Sequence, residues 1–186
     1  MLERRHLDVR ALERPDIEIT AFKHYRQFDN YFFFGEPSQG RLRFREDDLV
    51  DDKNETVNVR SRLTLIGQQR EGKLGHDVLL SRSRFLAPAL HTVRFYREYF
   101  TPKEEVAIEK DRQRWHIRYK DTEFFVNLDE VVKPPLGHFL EIKSRTWSRN
   151  DAERKAELAD ELIQRLGAAG DATVLEDLIE VVRAAG

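Results

Sequence analysis

The chain has no cysteine and a single methionine among its 186 residues. Disulfide staples and thiolate metal sites are thereby excluded, which fits a reducing cytoplasm. Long hydrophobic runs are missing as well. The longest is Tyr31-Phe32-Phe33-Phe34, far short of the roughly 20 residues that span a bilayer as a helix. Met1-Leu2-Glu3-Arg4-Arg5-His6 leads into no apolar signal-peptide segment. A soluble, cytoplasmic protein with no membrane partner is expected. Neither charge sign dominates: 32 Lys and Arg face 34 Asp and Glu, so no global basic field points to nucleic acid. The histidines at 6, 24, 76, 91, 116 and 138 lack the H-x-H or H-E-x-x-H spacing of a zinc site. A glycine-rich phosphate loop of the Walker type is also absent.

What the chain does have is charge placed on strand-like segments, with 35% of its residues Asp, Glu, Lys or Arg. Residues 5–11 alternate as a short strand, Pro15 interrupts, and 17–34 resume with aromatic and β-branched content. Residues 35–40 are a loop by composition and join that strand to Arg41–Glu46 as a hairpin. Residues 47–54 read as an acidic loop and 57–66 as a strand. A further strand is expected over 78–85, then a helix opening at Ala87-Pro88 and running to Phe100, with Leu90, Phe95 and Phe100 as core. Segments 105–119 and 123–132 form a hairpin, and 138–146 follow the turn at 133–137. Helical spacing begins at Asn150 and stops at Gly167, and a last short helix starts near Asp171.

Side chains two apart on a strand share a face. Arg41, Arg43 and Arg45 therefore project together, as do Arg60 with Arg62, and Lys110 with Arg112 and Arg114. Asn127 and Asp129 share a face, Glu141 and Lys143 another, and Asp8 lies beside Arg10. For a single strand this describes a solvated outer face. Repeated over several strands, rows of Arg repel unless something anionic lies between them. A closed barrel with a polar lumen supplies that setting. Arg offers a planar fork that matches a phosphate, and carboxylate oxygens suit Mg²⁺.

In this context Asp29-Asn30-Tyr31-Phe32, then Gly40-Arg41-Leu42-Arg43-Phe44-Arg45-Glu46, resembles the D-x-Y-F and G-R-L-R-x-R-E elements of the CYTH, or triphosphate tunnel, family. Arg62-Leu63-Thr64-Leu65 and Lys110-Asp111-Arg112 resemble its next strands. Val126-Asn127-Leu128-Asp129-Glu130-Val131, followed by Leu136-Gly137-His138-Phe139-Leu140-Glu141-Ile142, is similar to L-D-x-V, L-G-x-F and E-I-E in the same order. The resemblance spans about residues 5–166. It implies one α+β domain over 1–186: a closed eight-stranded antiparallel β-barrel over about 5–147 with helices outside it, the C-terminal ones at about 150–184. A homodimer is compatible with it.

The activity implied is binding of a triphosphate-containing small molecule or polyphosphate and hydrolysis of nucleoside, thiamine or inorganic triphosphate. The alternatives are a class IV-like adenylyl cyclase or a non-catalytic polyphosphate or nucleotide-binding module. Arg10, Arg41, Arg43, Arg45, Arg60, Arg62, Lys110, Arg112 and Lys143 would hold phosphates. Asp8, Asp129 and Glu141 would hold Mg²⁺ or Mn²⁺. The family's opening E-x-E-x-K is His6-x-Asp8-x-Arg10 here, and its closing pair of glutamates is Glu141-x-Lys143. A site that keeps cations and loses carboxylates is expected to bind phosphate better than it holds metal. Ser81-Arg82-Ser83-Arg84 either lines the same lumen or forms an ordinary amphipathic strand. Tyr31–Phe34 are expected in the core.

Overall fold

Alternating charged and apolar side chains make long strands in this chain, one face of each carrying the charges and the other the core. A computed structural model describes residues 9–35, 40–70, 82–170, 174 and 176–185. Its elements are β1 (Ile17–Phe33), β2 (Arg41–Val50), β3 (Thr56–Arg70), β4 (Arg82–Pro88), α1 (Val93–Phe100), β5 (Glu104–Tyr119), β6 (Thr122–Lys133), β7 (Gly137–Lys143), α2 (Arg149–Arg165) and α3 (Leu178–Ala185), after a short 3-10 helix at Val9–Glu13. Among the described residues no helix is long and apolar enough to cross a membrane.

The expected closed eight-stranded barrel is not what forms. The described residues make one open, antiparallel, seven-stranded sheet in the order β4-β3-β2-β1-β5-β6-β7. β4 and β7 are its edges, and no ladder joins them. The eighth strand was to come from residues 5–11. Residues 9–13 instead form the 3-10 helix, and 1–8 lie outside the described residues. Two physical reasons are visible. Ala11 and Leu12 bury their side chains with Ile17, Trp115 and Leu162, and Pro15 lacks the N–H that a paired strand would need.

The open sheet is nonetheless strongly curled. Five strand spacings separate β3 from β7, about 24 Å if the sheet were flat. Yet Arg84 of β4, one strand beyond β3, interacts electrostatically with Glu141 and Lys143 of β7. The concave face is therefore a trough, and Ile179 and Val182 of α3 close the apolar end of it. The opposite face is covered twice. Trp115, Ile117, Phe124 and Val126 pack beneath Leu158 and Leu162 of α2. Phe32, Phe44 and Leu63 pack beneath Tyr96 of α1.

Several boundaries move. Asp47 and Asp48 continue β2 rather than opening an acidic loop. β4 runs on to Pro88, which an edge strand tolerates, so α1 begins at Val93 and not at Ala87. That rotates the expected core: Tyr96 is buried, whereas Leu90 is 84% and Phe95 43% exposed. The last helix starts at Leu178, and the Asp171 cap lies outside the described residues. Tyr31 and Phe32 are buried as expected.

Gly40 leads into β2 with φ +72°, and a Cβ there would meet the Ile66 carbonyl oxygen at 2.5 Å. That neighbour is backbone and cannot swing aside. Gly40→Ala is expected to cost about 1–3 kcal/mol, read as a lower midpoint in urea unfolding with an unchanged slope.

Candidate functional site

The concave face gathers nearly every cation singled out from the sequence. On β2, Arg41 and Arg45 are each 7% exposed; on β5, Lys110 is 6% and Arg112 4% exposed. Burial of this many charges is costly unless each is paired and hydrogen-bonded. Most are. Arg45 donates from Nε and Nη2 to both oxygens of Asp29, at 2.6 and 2.5 Å. Arg112 grips Asp129 in the same forked way at 2.5 Å for each bond, and Lys110 adds a third bond to it at 3.1 Å. Arg62 pairs with Asp47, which also accepts from Gln27 at 2.5 Å. Glu141 accepts from Lys143 at 2.7 Å, from Asn127 at 3.1 Å and weakly from Arg112 at 3.4 Å. Arg41 reaches across to Asp177 and Glu180 at the start of α3.

Register explains why these groups meet. Asp29 stands opposite Arg45 in the β1–β2 ladder, and Asp129 opposite Arg112 in the β5–β6 ladder. Each pair lies on one face of adjacent strands, the geometry in which cross-strand charges interact.

The pairing does not neutralise the face. Arg41, Arg43, Arg45, Arg62, Arg84, Lys110, Arg112, Arg114 and Lys143 share it with Asp29, Asp47, Asp129, Glu141, Asp177 and Glu180. Among the described residues of the face, cations outnumber carboxylates. Arg43 carries the imbalance most clearly. Its side chain is 11% exposed, Asp29 lies 3.9 Å away, and its bond to the Thr64 hydroxyl is long at 3.4 Å. The buried Nε–H groups of Arg41, Arg43 and Arg62 find no acceptor among the described residues. Arg84, exposed on the edge strand β4, is held below the usual guanidinium range, first by partial desolvation and then by Arg43, with Asp177 and Glu141 opposing. Two like charges thus stand near each other on either side of β3, which pairs with both strands.

The same crowding sets the other ionisations. Burial first, then Arg112, pushes Lys110 down to about 7. Burial works to raise Asp29 and Glu141, but Arg45 and Arg43 in one case, and Lys143 and Arg112 in the other, hold them well below the usual carboxylate range. Lys143 and Arg114 are lowered, burial again leading. Toward the open end Arg114 donates to Asn127 at 2.7 Å and lies 5.7 Å from the centre of the Tyr25 ring.

Two predicted residues fall elsewhere. Arg10 is exposed on the 3-10 helix, on the side where Ala11 and Leu12 pack under α2. Arg60 shares a face with Arg62 but is exposed. Asp8 lies outside the described residues. Six contributors were not among the predicted site residues: Asp29, Asp47, Arg84, Arg114, Asp177 and Glu180. Asp29 precedes Tyr31 by two, the strand-face spacing, so its signal was present. Of the Ser81–Arg84 run, whose Ser81 is outside the described residues, Arg84 faces the trough. Asp47 was masked by its acidic neighbours, which read as loop.

For Mg²⁺ or Mn²⁺ the described donor set does not fit. Three oxygen-bearing side chains do not converge as a metal cluster among the described residues. Asp129 and Glu141 approach each other, but Arg112 lies between them and their oxygens already accept from Lys110, Arg112, Lys143 and Asn127. Carboxylates so engaged serve the internal charge balance.

No known family profile matches the chain, and no curated protein matches it. Solved structures do. The PH1819 protein of Pyrococcus horikoshii OT3 superposes with a TM-score of 0.69 at 17% identity, covering 97% of this chain and 96% of that one. The PH1012 protein of the same organism gives 0.59 at 16%, covering 92% and 89%. A conserved hypothetical protein of Pyrococcus furiosus gives 0.58 at 15%, covering 92% and 90%. At these identities the likeness establishes a shared fold along almost the whole chain.

Proposed function

We propose that the concave face binds a triphosphate-containing ligand, its phosphates lying against Arg43, Arg62, Arg84 and Lys143. The observation that carries this is the weakly compensated Arg43: its side chain is 11% exposed, its Asp29 partner stands 3.9 Å away and is already held by Arg45, and Arg84, on the far side of β3, adds a second like charge. An anion placed there relieves the repulsion and accepts from the buried Nε–H of Arg43. Several phosphates suit the site better than one, because the cations extend in rows from β4 through β2 and β5 to β7. The ordered resemblance to the CYTH elements supports the same chemistry. With carboxylates already committed to cations, the reading is of a binding module that needs no metal to hold its ligand. A cytoplasmic location goes with it, since the chain lacks cysteine for disulfides.

Calorimetry with inorganic tripolyphosphate, with and without Mg²⁺, tests this alongside an assay for released phosphate. Metal-independent binding that weakens as salt rises is expected. Arg43→Ala and Arg84→Ala should each weaken it by about 1.5–3 kcal/mol, the range for hydrogen bonds to charged groups. Unchanged affinity in both variants, or no binding by the wild type, would remove the trough as a phosphate site. Steady phosphate release that needs Mg²⁺ would replace the binding module with an enzyme.

A further inference from the structure

One feature of the surface has no role in the fold. Trp147 is 84% exposed, although its backbone is fixed: its N–H donates to Asp151 at 3.1 Å, and the next residue, Ser148, caps α2. A large residue just before a helix cap ordinarily packs down on the first turn as a hydrophobic staple. Trp147 does not, which leaves an indole held out on a rigid stem.

It borders a cleft of about 420 Å³ at the rim of the sheet, where the chain leaves β7 and crosses to α2. The volume falls within the range of small-molecule sites. Phe125 forms the opposite apolar wall, half-buried and edge-on to His116 at 4.5 Å. Arg145 and Arg154 stand on the rim, and the Ser144 hydroxyl, bonded to the Glu123 carbonyl at 2.8 Å, ties β7 to β6 beneath it. The cleft is continuous with the cationic face. Phe125 pairs with Lys143 across the β6–β7 ladder and lies two residues, about 7 Å, from Asn127, which pairs with Glu141.

We propose that this cleft holds the planar aromatic base of an organic triphosphate whose phosphates occupy the trough. The proposal rests on the phosphate-binding reading and narrows it: an aromatic ring would lie against Trp147 and Phe125, and the Glu123 carboxylate would accept from an exocyclic amine. Arg145 and Arg154 suit the anionic end of such a molecule as it enters. A ligand of phosphates alone leaves the cleft empty.

ATP and inorganic tripolyphosphate serve as the two probes, with wild type and Trp147→Ser compared by calorimetry and by indole fluorescence. Trp147 packs on no core, so the variant should fold, and circular dichroism checks it. Trp147→Ser should weaken ATP roughly tenfold, within the range for base stacking on an aromatic side chain, and leave tripolyphosphate unchanged. ATP should quench the wild-type fluorescence, tripolyphosphate should not, and the quench should vanish in the variant, where Trp115 is the remaining indole. If tripolyphosphate binds while ATP binds both proteins equally without quenching, the base subsite is overturned and the phosphate site stands. If tripolyphosphate does not bind, the phosphate reading fails and the subsite with it.

Discussion

Replacing Asp29 with alanine is expected to lower folding stability by about 3–5 kcal/mol, the range for removing one partner of a buried pair. Asp29 is 2% exposed, and both of its oxygens are held by Arg45 at 2.6 and 2.5 Å, with Arg43 close by. Its loss leaves Arg45 charged, buried and facing Arg43 with nothing between them. The proton linkage has a definite sign. The folded carboxyl ionises well below its unfolded value, so its contribution is fully present above the unfolded pKa of about 3.9. It is lost as pH falls further, because the unfolded chain then binds the proton more readily. Urea unfolding at neutral pH reads the first effect, and the wild-type midpoint below pH 4 reads the second. Asp29→Ala as stable as wild type would mean that the pair contributes nothing net. Arg45→Met with Asp29→Leu is the informative companion, since replacing a buried pair by apolar groups is often neutral.

The second large effect is on ligand binding and concerns Lys110. Its ammonium is buried between Arg112 and Arg45 and bonded to Asp129, and it loses its proton near pH 7. Asp29, Asp129 and Glu141 face it from β1, β6 and β7 and oppose that loss, but Arg112, Arg45 and burial prevail. Below pH 7 the trough presents the extra positive charge. Above it, a triphosphate must first restore that proton, so its affinity should fall about tenfold for each unit of rising pH, one proton being worth 1.36 kcal/mol per unit. Tripolyphosphate itself ionises in this window, so the comparison is with Lys110→Arg, whose charge persists at every pH examined. The ratio of wild-type to variant affinity should decline steadily between pH 7 and 9. A constant ratio would place Lys110 outside the ligand's field. Folding stability moves the other way. The unfolded lysine keeps its proton to about 10.4, so the wild type gains stability between pH 7 and that value.

Both effects depend on groups whose partnership the sequence shows only in part. The parity of Arg41, Arg43 and Arg45, and of Lys110, Arg112 and Arg114, follows from strand alternation and is legible at sight. So is the shared face of Asn127 with Asp129. That Asp129 belongs to Arg112, and Asp29 to Arg45, is a matter of register between strands up to 17 residues apart in sequence, and the turns alone do not set it. The resemblance implied a closed barrel, and the described residues make an open sheet instead. Pro15 and the burial of Ala11 and Leu12 turn the N-terminal segment into a 3-10 helix on the far face, so the sheet keeps two edges.

By itself the sequence determined most of the strands from Ile17 onward, the faces that carry charge, and the helical C-terminal part, because each rests on local period: two for a strand, near 3.6 for a helix. It determined also that cations of neighbouring segments had to find anions. The tertiary structure decided which carboxylate each cation took, that Arg84 of one edge came near Glu141 and Lys143 of the other, and that Trp147 was left exposed above a cleft. Those outcomes depend on curl and on contacts between distant segments. Curl brings Arg84 of one edge strand within electrostatic reach of Glu141 and Lys143 of the other, and no local period encodes it.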